Sequence, residues 1–154
     1  MTRQINILLI EPNVLIRRTV YEYFNKSQQF NIIGKAHDAN IALSKAYAMV
    51  PDIIIVDFSN DFQNEMESLK QLLPDFFVPI IFFSNRKKVQ VSQIASELVS
   101  INWSLIKKPS ANLINETILL MPKLEQQIRH LHLKATMHFD KFYRPSDIHP
   151  RKLS

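Results

Sequence analysis

Four side chains in this sequence are of the types that phosphoryl chemistry uses, and each stands just beyond a short apolar run. Glu11 follows the run 5–10, Asp57 follows 53–56, Ser84 follows 78–83, and Lys108 comes two residues after 103–106. A carboxylate can accept a phosphoryl group, an ammonium can pair with its oxygens, and a hydroxyl can hydrogen-bond it. A magnesium ion normally bridges the carboxylates and the phosphate oxygens of such a set. Whether the four meet depends on the elements that carry them.

Apolar runs of strand length alternate with segments of helical period along the chain. Strands are expected at 5–10, 30–34, 53–56, 78–83 and 103–106. Between them, Ile16, Val20 and Phe24 recur at helical spacing, as do Leu43, Ala46, Met49 and Val50 behind an Asp38 N-cap. Phe62, Met66, Leu69 and Leu73 form a third stripe, and Val91, Ile94, Ala95, Leu98 and Val99 a fourth. A fifth helix, capped by Ser110, carries Leu113, Ile114, Thr117, Ile118 and Met121. Short strands that are apolar throughout belong in a parallel sheet covered on both faces. Right-handed crossovers then favour an open, doubly wound α/β sheet of flavodoxin-like type, with strand order 2-1-3-4-5. In such sheets ligands sit beyond the carboxyl ends of the strands. Glu11, Pro12, Asn13, Asp57, Ser84, Lys107 and Lys108 all occupy that rim.

The stretches ILLIEPNVLIRR (7–18), FNIIGKAHDANIAL (30–43), PDIIIVDF (51–58), VPIIFFSN (78–85) and LIKKPS (105–110) occur in an order and at a spacing that resemble the receiver domain of bacterial response regulators. The regulatory domain of the chemotaxis protein-glutamate methylesterase is the nearest likeness. The resemblance implies that Asp57 holds the phosphoacceptor place, Ser84 the switch hydroxyl and Lys108 the phosphate-pairing lysine. It implies a cis bond between Lys108 and Pro109, which proline permits at modest cost. It also implies a magnesium site built from Glu11, Asp57 and the backbone carbonyl of Ser59. Three features depart from the family. Pro12, which also suits the first turn of the following helix, stands where a second acidic residue is usual. The loop after Asp57 lacks the Met-Pro and glycine found there. Leu105 replaces the aromatic residue that swings inward on activation. The expectation is therefore an atypical receiver whose magnesium binding is weak because of Pro12, with weak or absent phosphorylation at Asp57.

Composition narrows the remaining classes. One glycine, Gly34, excludes glycine-rich phosphate loops, and no cysteine means neither disulfides nor thiolate metal sites. The absence of a leader-like start and of any long apolar run fits a cytoplasmic protein without a membrane partner. His130, His132, His138 and His149 lack the spacing and the carboxylates of a metal site. Residues 1–122 carry 12 basic and 11 acidic side chains, whereas residues 123–154 carry 7 and 3, so the net charge of +5 belongs mainly to the tail. That tail is read as solvated rather than as a nucleic-acid surface, and it is too short for a helix-turn-helix. Met121, Leu124, Ile128, Leu131 and Ala135 step by three and four. They predict a helix starting near Pro122 that either folds back on the domain or forms a homodimer through 121–135. Disorder is expected beyond about residue 142.

The division expected is a receiver-like domain over 1–122 and a helical linker with a basic, partly disordered tail over 123–154. The resemblance makes the chain a two-component signalling module, chemotaxis being one setting, that contacts a histidine kinase or another signalling protein and carries no catalytic residues. The alternative is the regulatory piece of a chemotaxis methylesterase without its catalytic domain.

Overall fold

A computed structural model describes residues 3–44, 50–58, 62–73, 78–98 and 102–142. Five β-α units follow one another: β1 (Ile5–Ile10), α1 (Val14–Asn25), β2 (Phe30–Ala36), α2 (Ala39–Ser44), β3 (Ile53–Val56), α3 (Phe62–Leu72), β4 (Ile80–Phe83), α4 (Lys88–Glu97), β5 (Trp103–Ile106) and α5 (Leu113–Phe142). The strands form one parallel sheet in the order β2-β1-β3-β4-β5, as expected. The expected positions Ala46, Met49, Ser59 and Val99, the loop residues Asn60 and Asp61, and the tail beyond residue 142 lie outside the described residues, as does the side chain of Phe62.

The period-2 pattern of the strands decides which helix packs where. Ile7, Leu9, Ile53, Ile55, Ile81 and Phe83 point to one face and meet Ile16, Val20 and Phe24 of α1 and Met121 and Leu124 of α5. Leu8, Ile10, Ile54, Val56, Ile80 and Phe82 point to the other and meet Ala39 and Ala42 of α2, Met66 and Leu69 of α3, and Val91, Ile94 and Ala95 of α4. The central strands β1, β3 and β4 are thus apolar on both sides, which is why they read as continuous hydrophobic runs.

The helix ends differ from the sequence expectations in three places. Asp38 caps α2 as expected, its Oδ1 accepting the Ile41 N–H at 2.8 Å. Pro12 is not in the first turn of α1. The cap is Asn13, whose side chain accepts the Leu15 and Ile16 N–H groups, and Pro12 stands one residue outside the helix. Ser110 is not the cap of α5, which opens three residues later behind Asn112 at a left-handed φ of 48°. Asparagine tolerates that region through its short polar side chain.

Nor does a second helix start near Pro122, because α5 runs unbroken through it for 30 residues. A proline inside a helix removes one hydrogen bond and costs about 3 kcal/mol. Pro122 lies on the exposed side, while the buried side continues through it as Thr117, Met121, Leu124, Ile128 and Leu131. Burial of that stripe offsets the local defect. The seam therefore folds back on its own domain. A homodimer through 121–135 is not open to Met121, Leu124, Ile128 and Leu131 while they fill this core. Ile114 and Ile118, expected on the buried stripe, are instead about half exposed, because the buried face of α5 runs through Leu113, Thr117 and Met121 and leaves them one position off it.

Polar contacts hold the far end of α5 in place. Asn102, just before β5, donates from Nδ2 to the Leu131 carbonyl at 2.9 Å. The Tyr23 hydroxyl donates to Glu125 at 3.1 Å. The Arg129 guanidinium lies 4.8 Å from the centre of the Phe30 ring and bonds Glu125 and Gln29. Among the described residues no helix is long and apolar enough to cross a membrane.

Candidate functional site

The carboxyl ends of β1, β3 and β5 bring three of the four chemistry-bearing residues into direct contact. Lys108 Nζ lies 2.6 Å from Glu11 Oε2 and 2.8 Å from Asp57 Oδ2. Backbone hydrogen bonds set this convergence. The Asp57 N–H donates to the Ile10 carbonyl, extending the β1–β3 ladder to the rim, and the Glu11 N–H donates to Ala36 on the other side of β1. Ser84 donates its N–H to Ile106, and the Lys108 N–H points back to the Ser84 carbonyl at 3.4 Å. Parallel strands in register deliver their last residues to one edge, and the alternation directs Glu11 and Asp57 to the same side.

Each carboxylate has further donors. Glu11 Oε2 also accepts the Asn13 N–H at 2.9 Å, so the residue that caps α1 aims its amide into the pocket. Asp57 Oδ1 accepts the N–H of Phe58 at 2.9 Å. Glu11 is almost fully buried, at 1% exposure. Burial pushes its carboxyl above the ordinary range. The Lys108 charge and hydrogen bond and the Asn13 amide oppose this, and the charge of Asp57 adds to it.

The remaining predicted residues line the rim without joining the ion-paired cluster. Ser84 is at the rim and buried, with its Oγ accepting the Arg86 N–H at 3.1 Å, which closes the turn after β4. Leu105 is half-buried against the α4 side of the sheet and provides no aromatic ring. Lys107 is exposed beside the pocket. The cis bond expected before Pro109 is absent. Among the described residues every peptide bond is trans, and Lys108 Nζ reaches both carboxylates from that backbone. The Ser59 carbonyl lies outside the described residues.

Arg17 was not singled out from the sequence, yet its Nη1 donates to the Glu11 carbonyl at 2.6 Å. Its position four residues beyond the Asn13 cap, one turn into α1 and back toward the strand end, is the signal that could have found it. A second buried acid, Glu65 on α3, accepts the Ala39 N–H at the start of α2.

The described residues leave magnesium few free oxygen ligands. The ion needs near-octahedral oxygen coordination and keeps several waters. Here Glu11 is closed off from solvent, Pro12 has no carboxylate to offer, and Lys108 already occupies the gap between Glu11 and Asp57. Among the described residues no three His, Cys, Asp or Glu side chains are placed to hold a metal ion. What the arrangement does offer is a carboxylate, Asp57, held at the sheet rim against a fixed ammonium.

No family model matches the chain. The protein-glutamate methylesterase/protein-glutamine glutaminase 1 of Syntrophomonas wolfei is 20% identical over 123 residues, covering 80% of this chain and 35% of the relative. The corresponding enzyme of Geobacillus kaustophilus is 24% identical over 83 residues, covering 54% of this chain and 24% of the relative. The chain thus spans about a quarter to a third of the length of the curated relatives it matches. Among solved structures, the response regulator domain of Thermotoga maritima CheB superposes with a TM-score of 0.68 at 21% identity, over 84% of this chain and 97% of that one. The signal receiver domain of a modulated diguanylate cyclase from Desulfovibrio desulfuricans G20 gives 0.57 at 21%, over 86% and 99%. With the strand order, the five alternating units and the rim placement of Asp57 and Lys108, these likenesses make the fold of this chain that of a response-regulator receiver domain.

Proposed function

We propose that this chain is a receiver-type signalling module that acts by protein–protein contact, with little or no phosphorylation at Asp57. The observation that carries the reading is the pocket itself. The receiver rim is assembled, with Asp57 2.8 Å from Lys108, but Pro12 removes one of the acids that a magnesium-dependent transfer needs. Phosphoryl transfer draws nearly all its rate from positioning and charge neutralisation. At about 4 Å and an effective dielectric near 20, one carboxylate is worth on the order of 4 kcal/mol to each unit of cationic charge before desolvation. Half of that is already more than a tenfold loss of metal affinity. Partners are a histidine kinase or another signalling protein, with the face made by α4, β5 and the first half of α5 as the contact surface. The chain itself hydrolyses no ester.

The test is incubation with magnesium and acetyl phosphate, followed by intact-mass measurement, on the native chain, Pro12→Asp and Asp57→Ala. The adduct of one phosphoryl group should be absent or slight in the native chain, gained in Pro12→Asp and missing in Asp57→Ala. Prompt magnesium-dependent labelling of the native chain would restore a conventional phosphorylated switch.

The names and lengths of the curated relatives favour a second reading, that the chain is the regulatory piece of a chemotaxis methylesterase. A reading frame running past Ser154 into a catalytic domain would establish it, and a stop codon there would remove it.

A further inference from the structure

The pocket carries its own cation. Lys108 is 9% exposed and gives two of its three ammonium N–H groups to two carboxylates that are themselves 1% and 12% exposed. Arg17 adds a second positive charge at the Glu11 carbonyl. Lys108 thus bridges the two acids directly, with the Arg17 charge close behind Glu11. Glu11 Oε2, the oxygen facing Asp57 across Lys108, already accepts from Lys108 and from the Asn13 N–H. A divalent cation entering this space would sit beside an ammonium and would have to compete with it for the facing carboxylate oxygens.

We infer that Lys108 is the permanent counter-ion of this pocket, taking the charge-neutralising place of a divalent cation, so that the native chain is indifferent to magnesium and the rim is held in one arrangement. The inference rests on the receiver-type reading of the rim. It has a consequence that runs opposite to ordinary metal dependence. Deleting the ammonium leaves Glu11 and Asp57 as two buried acids facing one gap, which is strongly destabilising. The same deletion opens that gap to a dication, which then stabilises the folded state by mass action. A magnesium response should therefore be absent in the native chain and created by removing Lys108.

The experiment is thermal unfolding of the full chain, followed by Trp103 fluorescence, with chelator and with millimolar magnesium chloride. The native midpoint should not move. That of Lys108→Ala should fall by on the order of 10 °C in chelator and recover substantially with magnesium. The double variant Glu11→Gln with Lys108→Ala removes one of the facing acids. It should regain most of the lost stability without a magnesium response, and it decides the question even if the single variant does not fold in chelator. A native chain stabilised by magnesium, a Lys108→Ala chain as stable as the native one, or a double variant no better than the single one overturns the inference. Its failure is separable from that of the functional reading. A native chain stabilised by magnesium yet unlabelled by acetyl phosphate refutes this inference alone, whereas a magnesium-indifferent chain that is labelled refutes only the reading of weak phosphorylation.

Discussion

Replacing Ile128 by alanine should destabilise the domain severely although the residue falls in the stretch after 122 that reads from the sequence as a linker. Ile128 is fully buried in the cluster that also holds Phe24, Phe30 and Ile5. Truncating a buried isoleucine to alanine costs about 2–5 kcal/mol through lost transfer energy and the cavity left behind. Tyr23, Arg129 and Asn102 pin α5 on both sides of this position, so the helix cannot easily settle into the gap. A value near 3 kcal/mol is reasonable, against a whole-domain stability of about 5–15 kcal/mol. The control is Leu133→Ala, one and a half turns further along. Leu133 is 59% exposed, and such surface changes stay within about 0.5 kcal/mol. Urea unfolding followed by Trp103, which packs edge-on against Phe82, gives both values, and light scattering gives the mass. Equal costs for the two variants would refute the fold-back of α5. So would a variant at Ile128 that leaves stability unchanged but shifts the mass, since that would make the seam an interface between chains.

Two further outcomes follow from α5. Pro122→Ala should stabilise the protein by roughly 1–3 kcal/mol, because the residue is exposed inside a continuous helix and alanine restores the missing N–H and relieves the ring clash; a loss of stability in the same urea assay would mean that the helix is bent there for a packing reason. The Tyr23 phenol is pushed above its ordinary value of about 10 by burial, by its hydrogen bond to Glu125 and by the Glu125 charge, with Arg129 opposing. A raised folded value means that this contribution is fully present below the ordinary phenol range and is lost as pH rises through the folded value. The difference in melting temperature between the native chain and Tyr23→Phe should therefore shrink on going from neutral to strongly alkaline solution, and a constant difference would show that the hydroxyl plays no part in anchoring α5.

Alternating apolar runs and helical stripes were enough to determine the element order, the strand order 2-1-3-4-5 and the rim positions of Glu11, Asp57, Ser84 and Lys108. The physical reason is that a two-residue period and a 3.6-residue period are local properties of the chain, and once both faces of a parallel sheet must be covered few topologies remain. Three things were decided only in three dimensions. The seam 121–135 was equally suited to a dimer or to fold-back, and the pocket of Phe24, Phe30 and Ile5 made by distant segments chose fold-back. Pro122 read as a helix start, and the continuous burial on either side of it overrode that local signal. The state of the pocket also depended on tertiary structure. Pro12 announced a missing acid from the sequence alone. That Lys108, 97 residues from Glu11 and 51 from Asp57, would fill the space between them required the sheet to bring three strand ends to one edge, because charge pairing at 2.6–2.8 Å is a property of the assembled rim and leaves no periodic trace in the chain.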